Sequence, residues 1–273
     1  MKKRWLLLSL PLFVLGWFGT VSAHDLWLVP EPRHPSVGEN IRLLAQTGMK
    51  FPDSLSAVTP DRLDGAWIVD ASGRREIGEM KVDGSSLVLE TRLDNPGVVL
   101  AAVAVQPKFI HLKAEEFNEY LEHDGLPQIL ELRKKTGQLE AEAREMYAKL
   151  AKAILKVGEG GSQELATKPV GLRIEIVPLE DPHQLSSSGG SLPVQVLWES
   201  QPLQGVYVYP LADGEDEYHQ GYETDVNGKT SVPIKGAGLW SLHCIFMRPY
   251  TDKSKADWES FFATTTFFVD GTN

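Results

Sequence analysis

The sequence has one cysteine, Cys244, among 273 residues. An internal disulfide is therefore excluded, and stability must come from packing. Basic residues are in the minority, 27 against 37 acidic ones, for a formal net charge of −10. Phosphate backbones demand clustered Lys and Arg, so no nucleic-acid partner is expected. Catalytic signatures are missing too. No Gly-x-Ser-x-Gly, no Cys–His pairing and no phosphate loop occurs. The Gly158-Glu159-Gly160-Gly161 stretch follows a predicted helix and cannot cradle a phosphate at a helix start. The seven histidines include no His-x-His or His-x-x-x-His pair. Apart from the N-terminus, no apolar run is long enough to span a bilayer.

What is present begins with an export signal. Lys2, Lys3 and Arg4 precede an apolar stretch from Trp5 to Phe18, and Val21-Ser22-Ala23 ends it with small residues. Pro11 and Gly16 interrupt the stretch, which favours cleavage over anchoring. Cleavage after Ala23 leaves 250 residues beginning at His24, shifts the net charge to −13 and implies a periplasmic or secreted protein. No Cys follows the apolar stretch, so no lipid anchor is expected, and no membrane span remains.

The pattern predicts a mainly β protein of two sandwich domains, Ig- or transthyretin-like, with an α-helical hairpin inserted. Residues 24–112 read as an N-terminal sandwich, with strands in 40–46, 66–69 and 86–91, and a continuous apolar run from Val98 to Val105. Such a run suits a strand covered on both faces. Residues 113–160 read as helical. Phe117, Tyr120 and Leu121 share one face, and Pro127 and Gly137 bracket a second helix. From Leu139 to Leu155 apolar residues recur at helical spacing. Residues 161–273 read as a second sandwich, with a tight turn at Asn227-Gly228 and alternation through Trp240, Leu242, Cys244 and Phe246. In that alternation Cys244 is a small core residue, and His243 lies on the opposite face.

Two resemblances follow. Gln201-Pro202-Leu203-Gln204-Gly205-Val206-Tyr207-Val208 with Thr224-Asp225-Val226-Asn227-Gly228-Lys229 resembles the carboxypeptidase-regulatory, transthyretin-type sandwich. Five further segments occur in order: Ala23-His24-Asp25-Leu26-Trp27-Leu28, Phe117-Asn118-Glu119-Tyr120-Leu121, Tyr147 to Lys152, Gly171 to Pro178 and Asp257-Trp258-Glu259-Ser260. Together they are similar to an uncharacterised bacterial family labelled as the periplasmic component of a cobalt or nickel uptake system. That resemblance implies a non-enzymatic, metal-binding protein that serves a membrane permease. Where members place a His before the methionine matching Met247, this chain has Phe246.

The residues supply chemistry for such a role. A His at a free N-terminus chelates through its α-amine and its imidazole, donors that suit Ni, Co, Cu or Zn. His243 and His111 are the candidates to complete a site with His24. His34, His123, His183 and His219 fall in polar or loop contexts. Asp213 to Glu217 reads as a solvated hairpin tip, and Asp257-Trp258-Glu259 as packing at a strand edge. Two other readings compete. A metal-free module could contact protein or carbohydrate through Trp67, Trp198, Trp240 and Trp258. A copper-dependent oxidative enzyme would need a second His beside the first.

Overall fold

The computed structural model describes residues 24–216 and 218–271. The export signal and Glu217, at the expected hairpin tip, lie outside the described residues. Among the described residues, seventeen strands and two α-helices follow one another along the chain. They are β1 (Asp25–Glu31), β2 (Glu39–Gly48), β3 (Leu63–Asp70), β4 (Gly73–Glu76), β5 (Glu79–Asp83), β6 (Ser86–Leu93), β7 (Gly97–Val105) and β8 (Lys108–Leu112). Helices α1 (Ala114–His123) and α2 (Pro127–Lys135) come next. After them run β9 (Ala143–Val157), β10 (Ile174–Pro178), β11 (Gly190–Trp198), β12 (Gln201–Pro202), β13 (Tyr207–Ala212), β14 (Tyr222–Glu223), β15 (Lys229–Ile234), β16 (Gly238–Pro249) and β17 (Trp258–Val269).

The strands form three sheets in three layers. One outer sheet has the order β1-β2-β6-β5, and the other joins β10, β12 and β15 to β11. The central sheet runs β14-β13-β16-β17-β9-β7-β3-β4, with β8 added beside β9. The protein is thus mainly β with sandwiched sheets, as the pattern predicts. Central strands are apolar on both faces because both faces are covered. In β7, Val99, Ala101 and Val103 pack under the β1 sheet, while Val98, Leu100 and Ala102 pack against the β10–β11 sheet.

The expected helix over 139–155 is a correction. Residues 143–157 form β9, at the centre of the middle sheet, antiparallel to β7 and parallel to β17. Ala151, Ala153 and Leu155 face one layer, and Ala148, Leu150 and Ile154 the other. A strand buried on both faces has apolar residues of both parities, and with Ala, Leu, Lys and Glu among them it imitates a helical stripe. Pairing on both edges then overrides the helical propensity of those residues. As a result the two predicted sandwiches share one sheet. The hairpin itself is present as α1 and α2. Phe117, Tyr120 and Leu121 are buried as predicted, and Pro127 opens α2.

A second correction concerns Asn227-Gly228. The turn is there, held by Asp225 Oδ1, which accepts from the amides of Asn227 and Lys229 at 2.8 and 2.9 Å. The strands it joins do not pair with each other. β14 pairs β13 in the central sheet, and β15 pairs β11 in the outer one. Among the described residues no helix is long and apolar enough to cross a membrane.

Candidate functional site

One face of the central sheet is divided between two covers. The β1 sheet covers one part, with Leu26 and Leu28 facing β7 and β9. The α1–α2 hairpin covers the other, packing Phe117, Tyr120 and Leu121 against Ile245, Met247 and Phe262. Polar residues gather at the seam between the covers. Alternation along the strands puts them there. His243 on β16 pairs in register with Thr264 on β17, and Thr264 with Ala151 on β9. Residues two positions along share that face. Ser260 and Phe262 on β17, and Glu145 and Lys149 on β9, therefore belong to the same surface.

The first described residues enter this seam. Asp25 opens β1 and is buried. Its Oδ1 lies 2.9 Å from Nδ1 of His243, whose side chain is 2% exposed. The contact is off the line of a hydrogen bond. Neither atom, nor Nε2 of His243, has a hydrogen-bond partner among the described residues. The Tyr218 ring stacks on the imidazole at 4.6 Å and 21°, and Phe262 stands 6.2 Å away on a tilt. The Tyr218 hydroxyl, Ser241 Oγ and Thr266 Oγ1 are likewise buried and unpartnered among the described residues. Ser241 and Thr266 are register partners next to His243 and Thr264.

Three titratable groups ring the Asp25–His243 pair. Lys149, partly exposed at the rim, donates to the His24 carbonyl oxygen. Burial pulls its ammonium down to about 8, with Asp25 acting in the other direction. Asp124, the residue that ends α1, is pushed up to about 7 by burial and then by the Asp25 charge, against the pull of His243. Glu145 is fully enclosed, and burial raises it to about 7 although Ser260 and Tyr120 both donate to it. The His24 imidazole, half-buried, is lowered by burial and by Lys149. Groups with shifts of this size cluster at functional sites more often than elsewhere.

The three predicted histidines separate. Asp25, next in the chain to His24, meets His243. His111 does not join them. It lies on β8 opposite Arg144, exposed, with Nε2 3.0 Å from Glu142. Along β9 it is five residues from Lys149, roughly 16 Å at the rise of a strand. Among the described residues no three His, Cys, Asp or Glu side chains converge as a metal cluster. Cys244 is buried on the opposite face, and burial holds its thiol well above the ordinary range. Trp67, Trp240 and Trp258 are buried and form no contact surface. The partly covered Trp198 lies 4.7 and 5.1 Å from the guanidiniums of Arg173 and Arg248. Asp257 pairs with Arg144 at 2.9 Å, and Glu259 with Arg248. Both belong to packing around β17.

Lys149, Glu145, Tyr120 and Asp124 were not legible as site residues. Reading 139–155 as a helix puts Glu145 and Lys149 on a solvated i, i+4 face. Read as a strand with period two, the same residues fall on one side together with Tyr147 and Ala151.

The family described as "Domain of unknown function (DUF4198)" matches residues 21–248, from the signal's end into β16. No curated protein sequence matches the chain. Among solved structures, the D0–D1 domain of intimin is 12% identical over 90% of this chain and 98% of its own, with a TM-score of 0.22. Three N-terminal domains of the bacteriophage RB49 Highly Immunogenic Outer Capsid protein are 10% identical over 89% of this chain and 59% of theirs, at 0.20. Domains A168–A170 of titin are 10% identical over 92% and 66%, at 0.22. Scores this low carry nothing beyond a general likeness between β proteins.

Proposed function

The chain belongs to the DUF4198 family of unknown function, and from that premise we propose that it is a non-enzymatic periplasmic protein that captures a divalent transition metal at its mature N-terminus. The observation that carries this reading is the buried His243 imidazole. Its Nδ1 stands 2.9 Å from the carboxylate of Asp25, one residue from the expected start of the mature chain, and neither ring nitrogen has a hydrogen-bond partner among the described residues. Cleavage after Ala23 would add the His24 α-amine to the His24 imidazole. The His24 imidazole, the Asp25 carboxylate and His243 do not converge as a cluster among the described residues; capture would draw them together with the α-amine into the borderline donor set that Ni, Co, Cu and Zn accept. His111 has no part in it. Capture would serve a membrane permease, to which the ion would be delivered for uptake.

The test is titration calorimetry with Cu, Ni, Co and Zn on protein beginning at His24. Protein with one extra residue ahead of His24, and a His243→Ala variant, are measured alongside. Capture requires tight binding in the first and a loss of about tenfold or more in each of the others, the scale on which even outer partners of a metal act. No binding to the first protein sinks the proposal.

A further inference from the structure

Lys149 sits where an apolar side chain would pack at no electrostatic cost. Its ammonium lies 5.7 Å from the ring centre of Tyr147 and 6.0 Å from that of Phe262. It makes no ion pair with a carboxylate among the described residues. A methionine there would bury the same stem without drying a charge. The ammonium instead donates to the carbonyl oxygen of His24. Two residues on, the Thr264 hydroxyl donates to the carbonyl of Leu26 at 2.6 Å. Carbonyls two apart on a strand point the same way. Among the described residues β1 pairs only with β2, on its other edge. Lys149 from β9 and Thr264 from β17 thus satisfy the open edge of β1 at its first residues. An open edge left unsatisfied would fray, as strand ends do.

The peptide that Lys149 holds joins His24 to Asp25. On one side of it is the imidazole of His24, and on the other the carboxylate that meets His243. We infer that Lys149 is a positioning residue, which fixes this first mature peptide so that His24 and Asp25 are presented together beside His243. What the positioning serves rests on the capture reading, but the positioning itself does not.

The experiment compares mature wild-type protein with Lys149→Met and Lys149→Arg. It reads aminopeptidase trimming of His24, amide exchange of Asp25 and Leu26 by NMR, and nickel affinity by calorimetry, after thermal unfolding confirms that each variant folds. Expected for the Met variant are trimming and exchange faster by about tenfold, equivalent to losing one modest hydrogen bond, together with weaker nickel binding. The Arg variant, which keeps a charged donor, stays close to wild type in all three. Lys149→Gln takes the place of the Met variant if that one does not fold, with the same contrast to Arg. Unchanged trimming and exchange in the Met variant overturn the inference, and so does tighter nickel binding with trimming unchanged, which would make the lysine a repulsive charge only. Wild type that fails to bind nickel ends the capture reading, while the trimming contrast still decides on Lys149.

Discussion

Replacing Glu145 by Gln gives a quantitative test of the seam. Glu145 is 2% exposed, and burial raises its carboxyl from 4.5 to about 7. A carboxyl raised in the folded state favours folding in its protonated form. Its cost is absent below the unfolded value near 4.5, grows as pH rises, and levels off above about 7. The full shift of about 2.5 units corresponds to about 3 kcal/mol. Part of the cost is already present at pH 5, so about 2.5 kcal/mol accrues between pH 5 and pH 8.5. Glutamine keeps an oxygen to accept from the Tyr120 and Ser260 hydroxyls and has no proton to lose. Urea unfolding of both proteins at several pH values measures the difference. The stability of Glu145→Gln relative to wild type should climb by that amount from pH 5 to pH 8.5. A difference that stays flat with pH would refute the reasoning, because it would mean that Glu145 is hydrated in the folded protein.

Other perturbations follow from the packing. Lys152 and Glu175 form a buried pair at 3.5 Å between β9 and β10. Lys152→Met, which leaves the carboxylate only the amides of Val170 and Gly171, should cost about 3 kcal/mol in denaturant unfolding, and adding Glu175→Gln should recover a large part of it. Gly125 has φ +74°, and a Cβ there would fall 2.2 Å from the Tyr209 hydroxyl oxygen. Gly125→Ala should destabilise by about 2–3 kcal/mol, falling to about 1 kcal/mol in a Tyr209→Ala background, where backbone strain alone remains. His111→Ala, which removes an exposed ion pair, should change stability by less than about 0.5 kcal/mol and leave metal titrations unaltered. Cys244 should react with thiol reagents only as fast as the protein unfolds globally.

The sequence was readable where one period dominated. β7 announced itself as an unbroken apolar run, and it is buried on both faces. The alternation through β16 put His243 on the face opposite Leu242 and Cys244, where it lies. The face of α1 was visible in Phe117, Tyr120 and Leu121. Legibility failed at β9, where Ala143–Val157 carries strong helix formers and apolar residues of both parities, and only the strands on either side decide its state. That one misreading concealed most of the seam. Lys149 and Glu145 are ordinary surface types when read along the chain, and they become exceptional only when β17 and β1 close over them. His111, which closes the first predicted sandwich, is carried by β8 to the start of β9, opposite Arg144.

The position of β9 has a consequence for how the chain is made. Its neighbours are β7 and β8, which precede the helical hairpin, and β17, the last strand. One edge of β9 therefore stays unpaired until β17, residues 258–269, has been delivered. A chain exported from its N-terminus would hold that edge of β9 unprotected until nearly the end of the passage. Chaperones that hold unfolded chains should bind nascent forms truncated before Trp258 and release the full-length protein.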